Sequence, residues 1–182
     1  MDKSDYVIPS QTRIGHVHLK VADLQRSLDF YCGLLGFSLV TTYGNEAAFI
    51  SAGGYHHHIG LNTWYSKNAP PAPRHNAGLF HTAILFPSRK DLAIAYKRLL
   101  DAKYSKITGA ADHGVSEAIY LDDPDENGVE IYWDRPKDQW PRKADGSIEM
   151  YTIALDLENL LSEIGSWLFV NCSLFRSAEL LV

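Results

Sequence analysis

With 182 residues, 46% of them hydrophobic and 21% charged, the chain has the make-up of a globular protein with room for one domain or two small modules on a shared core. A net charge of −5 gives no electrostatic basis for binding nucleic acid or an anionic membrane surface. Cys32 and Cys172 are too far apart in sequence to suggest a disulfide framework, and the opening MDKSDYVIPSQTR has no apolar signal core, so a reduced, cytoplasmic setting is expected.

Residues 1–13 read as a polar arm. Residues 14–21 (IGHVHLKV) alternate strictly, with Val17, Leu19 and Val21 on one face and His16, His18 and Lys20 on the other, which predicts a strand. Asp23 is placed to cap a helix whose stripe is Leu24, Leu28, Tyr31 and Leu35, with Gly36 as its stop. Strands are predicted at 37–42 and 47–51, a turn at Gly53-Gly54, and a further strand over 56–64 (HHHIGLNTW). In that strand His57 should face away from His56 and His58. A first β-α-β-β-β module therefore occupies 14–67. The proline-rich stretch 68–77 permits neither helix nor central strand and reads as a stiff linker.

The pattern then restarts over 78–135. A strand at 79–86 (LFHTAILF) precedes a helix capped by Ser88, with Leu92, Tyr96 and Leu99 as its buried stripe. Strands near Ile107, at 117–121 and at 129–133 complete the second module. His16 and His81, 65 residues apart, mark the repeat, so the fold class is α+β: two duplicated β-α-β-β-β modules whose curved mixed sheets enclose a shared cleft. Residues 136–182 form a C-terminal extension, expected to be helical, whose apolar end (GSWLFVNCSLFRSAELLV) is too short and too polar to span a membrane.

Overlaying the modules puts His16 on His81 and His58 on Glu130. A carboxylate in the middle of an apolar strand is costly to bury without a partner. Glu130 facing water, or His81 packed in a core, would each explain one residue. Coincidence at repeat-related positions favours a metal instead. Two histidines and a carboxylate make a facial triad with open coordination positions, suited to Fe(II) and also to Mn, Ni or Zn.

At these residues the chain resembles the vicinal oxygen chelate superfamily of glyoxalases, bleomycin-resistance proteins and extradiol dioxygenases. The likeness to its catechol 2,3-dioxygenase-like members is strongest. GHVHLKVADLQRSLDFYCGLLGF is similar to the family's first strand and helix, and DPDENGVEIYWDRP to the segment carrying its glutamate ligand, within a likeness that runs from about 14 to 160. The resemblance implies metal ligation by His16, His81 and Glu130, with His58 as a fourth ligand or as a partner of the ligands. It also implies an acid–base role for His113 and a hydrogen-bonding role for Tyr120, the pair that the extradiol branch places ahead of its glutamate. Fe(II), a catechol-like aromatic substrate, O2 and a homodimer are the corresponding expectations. Extradiol enzymes of this type usually carry four modules, whereas this chain has two. A glyoxalase-type lyase or isomerase, needing a thiol adduct, and a metal-free binding protein that survives loss of Glu130 are the alternatives.

Overall fold

The structure is a computed structural model that describes residues 6–165. The start of the N-terminal arm and segment 166–182 of the expected helical extension, with Cys172, lie outside the described residues.

The two modules have the same wiring. In the first, strand β1 (Val17–Lys20) leads into helix α1 (Leu24–Leu28), then β2 (Ser38–Tyr43), β3 (Ala47–Ser51) and β4 (Ile59–Asn62). In the second, β5 (Thr82–Leu85) leads into α2 (Arg89–Asp101), then β6 (Ile107–Asp112), β7 (Ser116–Asp122) and β8 (Gly128–Asp134). The sheets run β1-β4-β3-β2 and β5-β8-β7-β6, with the first strand of each module parallel to its last. Even the irregularities repeat: the ladder slips between Leu39 and Thr41 in β2 and between Ile107 and Gly109 in β6. The duplication inferred from the histidine spacing is therefore present in the hydrogen bonding.

Helix starts follow the chemistry of their caps. The Asp23 side chain accepts a 2.9 Å hydrogen bond from the Arg26 N–H, and Ser88 accepts one of 3.1 Å from Asp91. The predicted α1 stripe needs correction. After Leu28 the chain widens into a π-helical segment, Asp29–Leu34, which turns Phe30 inward beside Tyr31 and leaves Leu24, Leu28 and Leu35 only part-buried. Gly36 ends it at φ +91, as a left-handed stop requires. The α2 stripe is as expected, with Leu92 and Leu99 fully buried and Tyr96 nearly so.

Strands are shorter than alternation suggested. His16, His56, His57, His58 and His81 all fall just outside them, because the parallel ladders begin only at Val17↔Ile59 and Thr82↔Val129. A short strand absent from the sequence reading, β9 (Ile153–Ala154), adds to the edge of β6, and helix α3 (Leu157–Ser162) packs on α2. Among the described residues no helix is long and apolar enough to cross a membrane.

One apolar cluster joins both modules: Leu19, Ile50 and Leu61 from the first sheet, Ile119, Val129 and Ile131 from the second, and the helices between. Arg98 ties the helices together by donating to the carbonyls of Gly33 and Leu34 at 2.8 and 2.9 Å. The turn 122–128 closes against the first module. Asp123, fully buried, accepts from the Tyr31 hydroxyl at 3.0 Å, from the Asn127 amide, and from the backbone N–H groups of Asp125 and Asn127. Burial pushes its carboxyl up from the usual range, while those hydrogen bonds pull it down. Arg26 adds a 2.6 Å ion pair to Asp125 across the same seam. Tyr31→Phe removes one donor to a buried carboxylate and should cost about 1–3 kcal/mol, read by urea unfolding. An unchanged midpoint would mean that the turn is not held through Tyr31.

Candidate metal centre

The second sheet gathers four of the predicted residues on one face. His81 stands one residue ahead of β5, and its Cα and Cβ lie over Gly128 at the start of β8. A Cβ on Gly128 would come within 2.1 Å of the Phe80 carbonyl oxygen and 3.2 Å of His81, so only glycine allows the two strands to meet here. That approach brings His81 Nε2 to 2.9 Å from Glu130 Oε2. Gly128→Ala should therefore destabilise the protein by about 1–3 kcal/mol and spread this pair, measurable by thermal unfolding and by weakened metal uptake. A variant with wild-type melting would show that the strands can part at no cost.

Tyr120 lies directly across from Glu130 in the β7–β8 ladder. Burial, then the nearby charge of Glu130, push the Tyr120 hydroxyl up to about 12, so it stays protonated at any physiological pH. His113 Nε2 is 2.6 Å from the Tyr120 oxygen. His113 and Tyr120 thus form one contact pair and Glu130 and His81 another, set side by side in one row by the β7–β8 pairing.

His16 stands elsewhere. It is exposed on the first sheet, its ring 4.4 Å from that of His57 and 6.3 Å from that of His56. The His56 and His57 Nδ1 atoms are 2.7 Å apart. Partial burial, followed by the charges of His16, His56, His18 and His58, lowers the His57 pKa, so its neighbours oppose the protonation of His57. His57 faces His16 and Phe49, which corrects the expectation that His57 points away; the run precedes β4, so strand alternation does not govern it. His58 turns instead to Ser51, with Nδ1 3.0 Å from the hydroxyl.

The ladders also correct the overlay. Phe49 pairs with Gly60 where Tyr120 pairs with Glu130, and His18 pairs with Gly60 where Ala83 pairs with Glu130. Gly60, and not His58, occupies the position of Glu130. A Cβ on Gly60 would come within 2.9 Å of the His18 ring, so a large His18 over a small Gly60 replaces a small Ala83 beside a large Glu130. The first sheet keeps the histidine of the repeat but has neither its carboxylate nor its phenol.

A metal fits the second-sheet pair. Imidazole and carboxylate are the donors that Fe(II), Mn, Ni and Zn accept. Two donors about 2.0–2.1 Å from one ion at right angles stand about 3 Å apart, close to the 2.9 Å found. His81 Nδ1 is buried without a hydrogen-bond partner, leaving a ring nitrogen of the pair unsatisfied. The third donor is not beside them: among the described residues no three His, Cys, Asp or Glu side chains come together to hold one ion. A hollow of about 320 Å³ near Asp23, Arg26 and Asp125 touches none of the row.

Residues 13–131 match the family model of the glyoxalase/bleomycin resistance protein/dioxygenase superfamily. The chain is 40% identical over 159 residues to a catechol-2,3-dioxygenase of Bacillus subtilis, a match covering 87% of this chain and 54% of that protein. It is 32% identical over 123 residues to a biphenyl-2,3-diol 1,2-dioxygenase of Rhodococcus globerulus, covering 67% and 63%. It therefore spans little more than half the length of these curated relatives. Among solved structures, a virulence protein of Salmonella typhimurium superposes with a TM-score of 0.52 at 25% identity, covering 71% of this chain and 100% of that one. A glyoxalase/bleomycin resistance/dioxygenase domain from Frankia gives 0.57 at 23% identity, covering 69% and 100%, a likeness of fold. Duplicated modules, the His81–Glu130 pair and these relatives lead to one conclusion: the chain belongs to the glyoxalase/bleomycin resistance protein/dioxygenase superfamily.

Proposed function

We propose that this protein is a divalent-metal enzyme of the extradiol type, opening the ring of a catechol-like diol with O2. The observation that carries the reading is the contact of His113 with Tyr120 beside His81 and Glu130, because it puts a base and a phenol next to the two donors. A glyoxalase-type reaction gives this pair no task. His81 and Glu130 anchor the ion and His16 supplies the third donor, reaching the pair from the first sheet of the same chain or of a second copy in a homodimer. His58, held by Ser51, steadies the histidine cluster around His16. Bound Fe(II) would supply the redox coupling between a chelated diol and O2. The chain's own residues handle the proton. Tyr120 hydrogen-bonds the substrate oxygen, and His113 takes the proton released when the diol binds and returns it as the ring opens.

The test is oxygen uptake by protein reconstituted anaerobically with Fe(II) and then given a catechol. Uptake matched one-to-one by ring-opened product supports the reaction. Metal-dependent turnover of a hemithioacetal without oxygen would replace it with the glyoxalase reading.

A further inference from the structure

Residues 140–154 belong to no part of either module, yet they reach the site through His113. The His113 Nδ1 atom lies 3.1 Å from the Tyr151 carbonyl oxygen and 3.2 Å from the Thr152 hydroxyl. The Tyr151 N–H donates back to the His113 carbonyl at 3.3 Å, and β9 then pairs with β6 at Asp112↔Ile153 and Ala111↔Ala154. The Tyr151 ring sits on Gly114, where a Cβ would come within 2.7 Å of it and where φ is +77. Glycine is thus needed at 114 twice over, for its backbone and for the seat of the ring. The segment is a strap fastened on both sides of His113.

We propose that this strap is a positioning element that fixes the tautomer of His113. A backbone carbonyl can only accept a hydrogen bond, so the Tyr151 contact keeps a proton on Nδ1. The neutral ring then has its lone pair on Nε2, facing Tyr120, whose hydroxyl donates to it at 2.6 Å. With the proton on Nε2 instead, Nδ1 would oppose the carbonyl lone pairs and depend on Thr152 alone as donor. The strap therefore makes the nitrogen that faces the substrate side the basic one. Positioning residues of this kind are Tyr151, through its main chain, and Gly114, through the space it leaves. What the base is used for rests on the proposed ring cleavage; the tautomer does not.

The experiment is a long-range 1H–15N spectrum of the metal-free full chain, at a pH above the ordinary imidazole value of about 6.5. The wild-type protein should show His113 as the Nδ1–H tautomer. Gly114→Ala and Tyr151→Ala, by pushing the strap off or loosening it, should give a mixture, with the amide signals of β7 and β8 reporting a retained fold. In the ring-cleavage assay both should lower kcat more than about 10-fold with KM little changed. A wild-type Nε2–H tautomer overturns the proposal. So does an undiminished Nδ1–H form in folded variants. Absence of ring cleavage by the wild-type protein refutes the reaction and leaves the spectrum to decide the tautomer.

Discussion

Replacing Glu130 by Gln should lower affinity for Fe(II) by more than about 100-fold, beyond what losing a mere partner of a ligand costs. The substitution keeps the shape of a side chain that is only 12% exposed and stays opposite Tyr120 in the ladder, so the fold should hold. It removes the charge that would pair with the cation. The first sheet has Gly60 at the corresponding position, and no three-donor group is assembled anywhere among the described residues. Isothermal titration with Fe(II) under anaerobic conditions reads the effect. Tight binding by a folded Glu130→Gln protein would remove the carboxylate from the metal centre.

Replacing His113 by Phe should reduce kcat by about 10²–10⁴, the usual contribution of a positioned acid–base group, while leaving Fe(II) affinity within a few-fold of wild type. The separation follows from the row of contacts. His113 touches Tyr120, and Glu130 lies beyond Tyr120, across the β7–β8 ladder. Single-turnover kinetics on a reconstituted variant measure the chemical step apart from metal loading. Unchanged turnover would retire His113 as the base and leave the 2.6 Å contact as a structural hydrogen bond.

Much of the architecture is legible in the sequence because it is written in local signals. Alternation at 14–21 and 129–133, the caps Asp23 and Ser88, and the recurrence of a histidine ahead of the first strand of each module all report short-range physics. What is not legible is set by partners far along the chain. The π-helical turn at Asp29–Leu34 goes with Phe30 packing at 5.2 Å on the ring of Tyr104, and nothing within the segment announces it. The overlay of His58 on Glu130 is off by two residues because the register comes from pairing with β1 and β5, which sequence spacing does not reveal.

The site divides in the same way. Glu130 is legible from strand phase and His81 from the repeat, whereas Tyr120 and His113 stand out only through the family resemblance. The strap over His113 is not, since it depends on an edge pairing of two residues in a polar stretch. A signal did exist at Gly114: a glycine after a histidine, before a strand, marks a place where something approaches closely. The loss of carboxylate and phenol from the first sheet, Gly60 for Glu130 and Phe49 for Tyr120, likewise appears only once both ladders are in register. It has a functional consequence. One module carries the acid and the other does not, so a duplicated fold should hold a single metal per chain.

Stoichiometry is therefore the most direct measurement. Metal-stripped protein is titrated anaerobically with Fe(II), alongside His81→Ala and His16→Ala. One tight site per chain, lost with His81 and weakened with His16, is the expected result. No tight site in the wild-type protein, or a site indifferent to His81, would contradict a metal centre built on the second sheet.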